Sequence, residues 1–184
     1  MRALIVTGQG AQDAEFIYPF YRLQEADYEV TVLTANDGPC TGIAGTKIQP
    51  SGPRFKEMRF LRSAFLDAKV YRPDVLVIPG GVKAMEHMRL NEDLVRYVSD
   101  YYASGGVVAA ICSGVQLLIS AGIVRGRHAS IYPAFRVDLE NAGGTFVDMP
   151  AVVDERIVTT SHYRHLGPWM AATLSTVQYP NGFQ

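Results

Sequence analysis

The sequence predicts a single α/β domain built on a mostly parallel sheet with helices on both faces. Short apolar runs rich in β-branched residues, at 2–7, 75–78 and 107–111, are typical of strands buried on both faces. Segments with helical spacing of apolar residues alternate with these runs, which is the pattern of a parallel sheet with crossover helices. A chain of 184 residues is long enough to bury one full core.

The first half of the chain alternates strand and helix signals. The run at 2–7 predicts the first strand, and a helix over 14–25 follows with one apolar face: Phe16, Ile17, Phe20 and Leu23. YEVTVL predicts a second strand over 28–33, and the Gly-, Pro- and Thr-rich stretch after it predicts a hairpin near 41–43 and 46–49. Apolar spacing over 54–68 predicts a core-packing helix, with a lid or an interface as alternatives.

The second half continues the alternation. After the strand 75–78 come a short helical turn over 82–89 and a helix capped by Asn91 that runs to about 103. A strand is predicted over 129–132, and Pro133 starts a helix that ends near 143–144. The remaining predictions are strands at 145–153 and 156–160, a last helix from 166 to about 176, and a poorly ordered tail from about 179.

Composition excludes several function classes. With 17 basic and 18 acidic residues, the net charge of −1 gives no electrostatic basis for binding nucleic acid or an anionic membrane. No apolar run has the length of a membrane span, and the N-terminus does not have the pattern of a signal peptide. Two cysteines in unrelated contexts predict a reduced, cytoplasmic protein.

No cofactor motif is found in the sequence. The chain has no Cys-x-x-Cys or His-Glu-x-x-His pattern for a metal. Gly8 and Gly10 begin a dinucleotide-type turn, but Asp13 stands where the third glycine is required. We therefore expect a protein that uses neither a metal nor an organic cofactor.

Cys112 occupies the most informative position. The buried run 107–111 ends immediately before it, and a helical pattern begins at Val115, so Cys112 lies on a strand-to-helix turn of the nucleophile-elbow type. Ser113 and Gly114 are small enough for the backbone to turn tightly. The amides at the start of the new helix would favour the thiolate. The alternative is an inert, buried structural cysteine.

Other polar residues are predicted to lie at the same edge of the sheet. Ligands of open α/β sheets bind beyond the carboxyl ends of the strands. This rule brings together Cys112 and the loops that follow three other strands, at 8–15, 80–85 and 161–165.

The chain resembles the ThiJ/PfpI superfamily, which has a class I glutamine amidotransferase-like fold, and is most similar to its PfpI-like branch. The resemblance covers nearly the whole chain and rests on six segments: DAEFIYPFYRL (13–23), LVIPGG (76–81), AICSG (110–114), LISAGIVRGR (118–127), IYPAF (131–135) and NAGG (141–144). It implies a flavodoxin-like three-layer sandwich containing a cysteine nucleophile elbow.

The resemblance assigns the central pair of the site. Cys112 falls on the family's nucleophile, and Glu15 on the glutamate that contacts it. A carboxyl group beside a thiolate must be protonated to donate a hydrogen bond rather than repel it. Without the resemblance, Glu15 would be interpreted as an exposed first-turn glutamate favoured by the helix dipole.

Further residues are assigned in the same way. Gly80 and Gly81 fall on the family's Pro-Gly-Gly turn, where the amides of Gly81 and Ser113 would form an oxyanion hole. Glu86 falls on an acidic residue used across a subunit interface. Tyr132 falls where related proteins carry Tyr or His near the thiol.

Two departures from the family pattern bear on activity. PfpI-like proteins usually carry His directly after the cysteine, and Ser113 stands there in this chain, which argues against peptidase activity. His162 or His165, in the loop after the last strand, is a candidate for the missing imidazole, the alternative being that both are surface histidines. A small hydroxyl residue after the cysteine, there Thr, also occurs in the isocyanide hydratase branch.

These observations together predict a cysteine-dependent hydrolase, hydratase or lyase. Its substrate would be a small electrophile of the carbonyl type, and the resemblance implies a homodimer or higher homo-oligomer. Two alternatives are a non-catalytic redox sensor or chaperone-like stress protein that oxidises Cys112, and a specialised biosynthetic or isocyanide hydratase-like enzyme.

Overall fold

The computed structural model describes residues 1–36, 38–52 and 72–179. Six strands form its central sheet: β1 Arg2–Thr7, β2 Glu29–Thr34, β5 Val75–Ile78, β6 Val107–Ile111, β9 Val152–Asp154 and β10 Ile157–Thr160. Their order is β2-β1-β5-β6-β10-β9. All neighbours pair in parallel except β9, which runs antiparallel to β10 at the sheet edge. The predicted α/β fold with a mostly parallel sheet is confirmed.

Helices flank this sheet in two groups. The helices are α1 Asp13–Glu25, α2 Val82–Leu90, α3 Glu92–Ala103, α4 Val115–Ser120, α5 Arg136–Asn141 and α6 Leu166–Gln178. Helices α1 and α6 contact each other, whereas α2, α3 and α4 contact one another. Two further strand pairs are β3 Cys40–Thr41 with β4 Lys47–Ile48 and β7 His128–Ala129 with β8 Thr145–Phe146. The sequence therefore produces the predicted layers of helix, sheet and helix.

The core lies around the central strands. Every residue of β5 and β6 is buried, as expected for apolar runs covered on both faces. Helix α1 buries Phe16, Pro19 and Leu23, which lie at helical spacing on one stripe. Ile17 was expected on this face but is 37% exposed, because it lies about 100° around the helix from Phe16.

Several boundaries differ from those expected. The strand predicted over 129–132 ends at Ala129, and Pro133 begins a 3-10 helix over Pro133–Phe135 before α5. The N–H of Tyr132 donates to the Cys112 carbonyl (3.4 Å) instead of a sheet ladder. The strand expected over 145–153 is two separate strands, β8 and β9, with the non-strand stretch 147–151, including a proline, between them.

Two predictions fall on residues outside the described ranges: the helix over 54–68 and the tail beyond residue 179. Within the described residues, every helix is too short or too polar to cross a lipid bilayer. The same ranges contain no group of three His, Cys, Asp or Glu side chains placed to hold a metal ion.

The strand register brings the functional loops together. Ile78 pairs with Ala110, and Thr160 pairs with Ile111, so β5, β6 and β10 end at the same level. Because these strands are parallel, the loops that follow them share one edge of the sheet. The polar residues predicted for that edge are therefore neighbours.

Candidate active site

Cys112 occupies the predicted elbow in a left-handed backbone conformation. It follows β6 directly, has φ of +57°, and begins a 3-10 helix over Cys112–Gly114 that leads into α4. A non-glycine residue in this region costs about 1–2 kcal/mol and is retained only where its surroundings enforce it. The backbone is closely packed two residues later at Gly114, where a Cβ atom would lie 2.5 Å from the Ile78 carbonyl oxygen and 3.0 Å from that of Pro79.

Glu15 is fully buried, although it lies in the first turn of α1. Its Oε2 accepts a hydrogen bond from the Gly80 amide (2.8 Å), and the nearby Cys112 side chain acts to lower the pKa of the carboxyl group. Its other oxygen, Oε1, has no geometrically well-formed hydrogen bond among the described residues. Burial raises the pKa of Glu15 to about 7, against the lowering effect of Gly80 and Cys112. The alternative of an exposed first-turn glutamate is therefore wrong.

The environment of Cys112 raises its pKa, contrary to the expectation from the elbow alone. Burial is the largest cause, followed by the negative charge of Glu15, and together they bring the pKa to about 12. The amide and the hydroxyl of Ser113 act in the opposite direction but are outweighed. Protonation of Glu15 removes the repulsion between the two groups and leaves burial as the main cause of the raised thiol pKa.

Both backbone amides of the Gly80-Gly81 turn donate hydrogen bonds to side chains of the site. The Gly80 amide is held by Glu15, and the Gly81 amide donates to Ser113 Oγ at 2.8 Å. Gly81 has φ of +116°, and a Cβ atom there would lie 2.7 Å from Ala11 Cα. The Gly81 amide was expected to be free for an oxyanion, and in this structure the Ser113 hydroxyl occupies it.

An aromatic pair lies on the other side of the elbow. The ring of Tyr132, whose amide bonds to the Cys112 carbonyl, stacks with His162 at 6.4 Å between centroids. His162 Nδ1 accepts from the Arg164 amide (3.3 Å), which leaves the proton of the neutral ring on Nε2. Burial, with the charges of Arg164 and His165, lowers the pKa of His162. The ring is therefore neutral at neutral pH.

The remaining predicted residues lie farther from the thiol's contacts. Glu86 is exposed on α2 and forms an ion pair with Lys83 at 2.9 Å. It lines a cavity of about 400 Å³ together with Met85 and Gln116. His165 donates its amide to the carbonyl of His162. The described contacts bring neither Glu86 nor His165 to Cys112.

Comparison with known proteins shows the family to which the chain belongs. Residues 1–176 match the model of the DJ-1/PfpI family. The chain belongs to this family. The resemblance inferred from the sequence motifs is thereby confirmed.

The DJ-1/PfpI relatives include proteins named as deglycases. A deglycase of Pyrococcus abyssi is 38% identical over 92% of this chain and 95% of its own length. The deglycase PfpI of Pyrococcus furiosus is 35% identical over the same shares, and protein/nucleic acid deglycase 2 of Escherichia coli is 32% identical over 86% of each. These names fit a cysteine-dependent, hydrolase-like activity.

Solved structures of DJ-1/PfpI proteins share the fold. A two-domain protein from Anabaena variabilis, with DJ-1/ThiJ/PfpI-like and ferritin-like domains, superposes with a TM-score of 0.85 at 32% identity. It matches all of this chain, which spans half of that protein. DJ-1 of Schizosaccharomyces pombe has a TM-score of 0.81 at 19% identity, over 96% of this chain and 92% of its own.

Sequence reasoning missed Asp13, which organises one wall of this DJ-1/PfpI site. Its carboxylate accepts hydrogen bonds from the amides of Ala44 (2.7 Å) and Thr46 (2.8 Å). Burial opposes ionisation of Asp13, but hydrogen bonds from Thr46 and Ala44 outweigh it and lower the pKa. The β3–β4 hairpin is thereby held against the first loop.

Main-chain bonds complete this wall. The amide of Gln12 donates to the Gly80 carbonyl (3.0 Å), that of Gly10 to Thr41 (2.9 Å), and that of Ile43 to Ala11 (2.9 Å). An acidic residue at the start of a helix was the available signal for Asp13, but the partners are backbone amides 31 and 33 residues away. Residue type alone does not identify such partners.

Proposed function

We propose that this protein is a deglycase-type enzyme in which Cys112 attacks the carbonyl carbon of a reactive carbonyl compound or its adduct. The observation that carries the proposal is the Glu15–Cys112 pair: a fully buried carboxyl group that lies, with Cys112 Cβ, against Gly80, beside a thiol on an elbow with positive φ. Buried carboxyl groups with a pKa near neutrality are suited to general acid–base work. The names of the deglycase relatives support the same reaction class.

The first step is transfer of the thiol proton from Cys112 to the Glu15 carboxylate. The product is a thiolate beside a neutral acid, which donates its proton in a hydrogen bond to sulfur. The pKa of Glu15 is about 7 and that of Cys112 is about 12, so the thiolate is a minor species that the following addition consumes.

The second step is addition to the carbonyl. A bond forms between Sγ and carbon, and the π electrons of the C=O bond move to oxygen. The amides of Gly81 and Ser113 would hold this oxyanion, with the Gly81 amide exchanging its Ser113 Oγ acceptor for a charged one. Glu15 then protonates the oxyanion.

For a 2-oxoaldehyde adduct the reaction balances with water alone. The amine or thiol that carried the adduct first leaves with its proton, which restores the aldehyde C=O that Cys112 attacks. In the resulting hemithioacetal a hydrogen moves from the former aldehyde carbon to the neighbouring ketone carbon, and this gives a thioester on Cys112. Water cleaves the thioester to a 2-hydroxy acid and frees the Cys112 thiol. No oxidant is consumed.

The test uses the hemithioacetal of methylglyoxal and N-acetylcysteine, followed by proton NMR. We expect lactate and free thiol in equal amounts, and no cleavage of an unmodified peptide. Intact-mass analysis after mild peroxide addresses the redox alternative. Gain of two oxygens on Cys112 without turnover of the adduct would contradict the enzyme and favour a sensor.

We include His162 in the proposal as an assisting proton donor through Nε2. Replacing His162 with Ala or with Asn should each lower kcat by about tenfold, less than the full contribution of a general acid. Asn is the matched variant, because its side chain can still accept from the Arg164 amide and preserve the cap. Full kcat in His162→Asn would show that the imidazole serves only as a cap.

The proposal also includes a homo-oligomer with Glu86 at the interface. Its support is the exposed apolar surface beside Glu86 on α2, where Val82 is 52% and Leu90 is 81% exposed. Exposed apolar side chains of this kind are typical of association surfaces.

A further inference from the structure

Ser113 makes a hydrogen bond that its place in the sequence does not explain. The side chain is fully buried, and its Oγ accepts from the Gly81 amide at 2.8 Å. A serine hydroxyl has one proton to donate in addition to its acceptor sites. That proton needs a partner, because an unpaired buried donor destabilises the folded state.

The sulfur of the adjacent residue, Cys112, is an acceptor within reach of that proton. The Ser113 side chain acts as a donor that lowers the pKa of the Cys112 thiol. The described residues provide no other acceptor for it. The Gly81 amide, by donating to Oγ, polarises the hydroxyl and strengthens its donation to an anion.

We propose that the Ser113 hydroxyl, relayed from the Gly81 amide, holds negative charge on Cys112 Sγ before attack, as a neutral substitute for an imidazolium. The chain of donors runs from Gly81 N–H to Ser113 Oγ–H to Cys112 Sγ. The inference rests on the proposed function for its catalytic meaning. Ser113 is thus a positioning residue that acts through the thiolate.

The same arrangement links charge transfer to the oxyanion site. When the C–S bond forms, the charge leaves sulfur, and the hydroxyl loses its anionic acceptor. Rotation of the Ser113 side chain then releases the Gly81 amide, at the moment when the new oxyanion needs a donor. The hydroxyl would therefore occupy the Gly81 amide only before addition.

The test is the pH dependence of iodoacetamide alkylation at Cys112, followed by peptide mass mapping that separates it from Cys40. Ser113→Ala should displace the rate profile to higher pH by about 0.5–1 unit, which is about three- to tenfold slower alkylation at fixed pH. Ser113→Thr keeps a hydroxyl and should restore the wild-type profile. Ser130→Ala is the control, since Ser130 is also fully buried and its hydroxyl has no partner among the described residues.

The possible results distinguish failure of the Ser113 inference from failure of the proposed enzyme activity. Superimposed profiles for wild type and Ser113→Ala, a shift to lower pH, or equal shifts in Ser113→Thr or Ser130→Ala would overturn the inference. Alkylation does not require turnover of any carbonyl compound. A displaced Ser113→Ala profile in a protein that fails the adduct assay would therefore retain the relay and reject the proposed enzyme activity.

Discussion

Replacing Cys112 with serine should reduce turnover of the methylglyoxal adduct by about 1,000-fold or more. A serine hydroxyl at the elbow has the same hydrogen-bond neighbours, but it does not ionise near neutral pH and is a far weaker nucleophile. The measurement is kcat/KM for thiol release, with the melting temperature of each variant recorded alongside.

Cys40→Ser provides the matched control for this change. Cys40 is the other cysteine of the chain, is 3% exposed in β3, and has a pKa raised by burial. We expect Cys40→Ser to retain turnover even if its melting temperature falls slightly. Loss of activity in Cys40→Ser alone, with Cys112→Ser fully active, would reject Cys112 as the nucleophile.

Glu15→Gln should make the protein more stable and less active. The folded pKa of Glu15 is about 7, above the ordinary value of 4.5, so burying the ionised carboxylate costs free energy. This cost appears as pH rises from about 4.5 to 7 and is complete above pH 7. The difference between the folded and the ordinary pKa of Glu15 corresponds to about 3 kcal/mol in the free energy of unfolding. Denaturant unfolding at pH 8 should show this gain, and at pH 4 it should nearly vanish.

The activity of Glu15→Gln should fall by about 100-fold or more, because glutamine cannot accept the thiol proton. Asp13→Asn is the opposing control, since hydrogen bonds from Thr46 and Ala44 lower the pKa of Asp13 despite burial. Its ionised form stabilises the fold above its unfolded pKa, so this variant should be less stable at pH 8. Equal loss of stability in both variants would contradict the assignment of Glu15 as a buried, destabilised carboxylate.

The layers of the fold were predictable because buried segments are recognisable from their apolar composition. The runs at 75–78 and 107–111 are apolar throughout, since both faces of their strands are covered. Asn91 was a reliable boundary because capping is local: its side chain accepts from the Leu94 amide three residues on (3.1 Å). Ile17 was misplaced because apolar character alone does not determine which stripe of α1 faces the sheet.

The site was only partly predictable. Residue type and position were sufficient to nominate Cys112 at its elbow, whereas Glu15 was assigned only through the resemblance to the ThiJ/PfpI superfamily. The raised pKa of Cys112 was not predictable, since it depends on burial by distant residues and on the charge of Glu15. The Gly81–Ser113 hydrogen bond joins residues 32 positions apart. Its donor is a backbone amide, so the residue types in the sequence do not predict it.

One side of the site is formed by main-chain atoms and the other by side chains, so mutation affects the two sides differently. On the side of the first loop, main-chain bonds hold Gly10, Gln12 and Gly80, and the two glycines exclude any side chain: a Cβ atom at Gly10 would lie 2.7 Å from Lys83 Cβ, and one at Gly80 would lie 2.9 Å from Cys112 Cβ. On the other side, Tyr132 and His162 present rings. Natural variation or laboratory redesign would therefore alter substrate preference with the least effect on the chemistry at Tyr132, since His162 is a proposed proton donor and the glycine side holds the reacting groups.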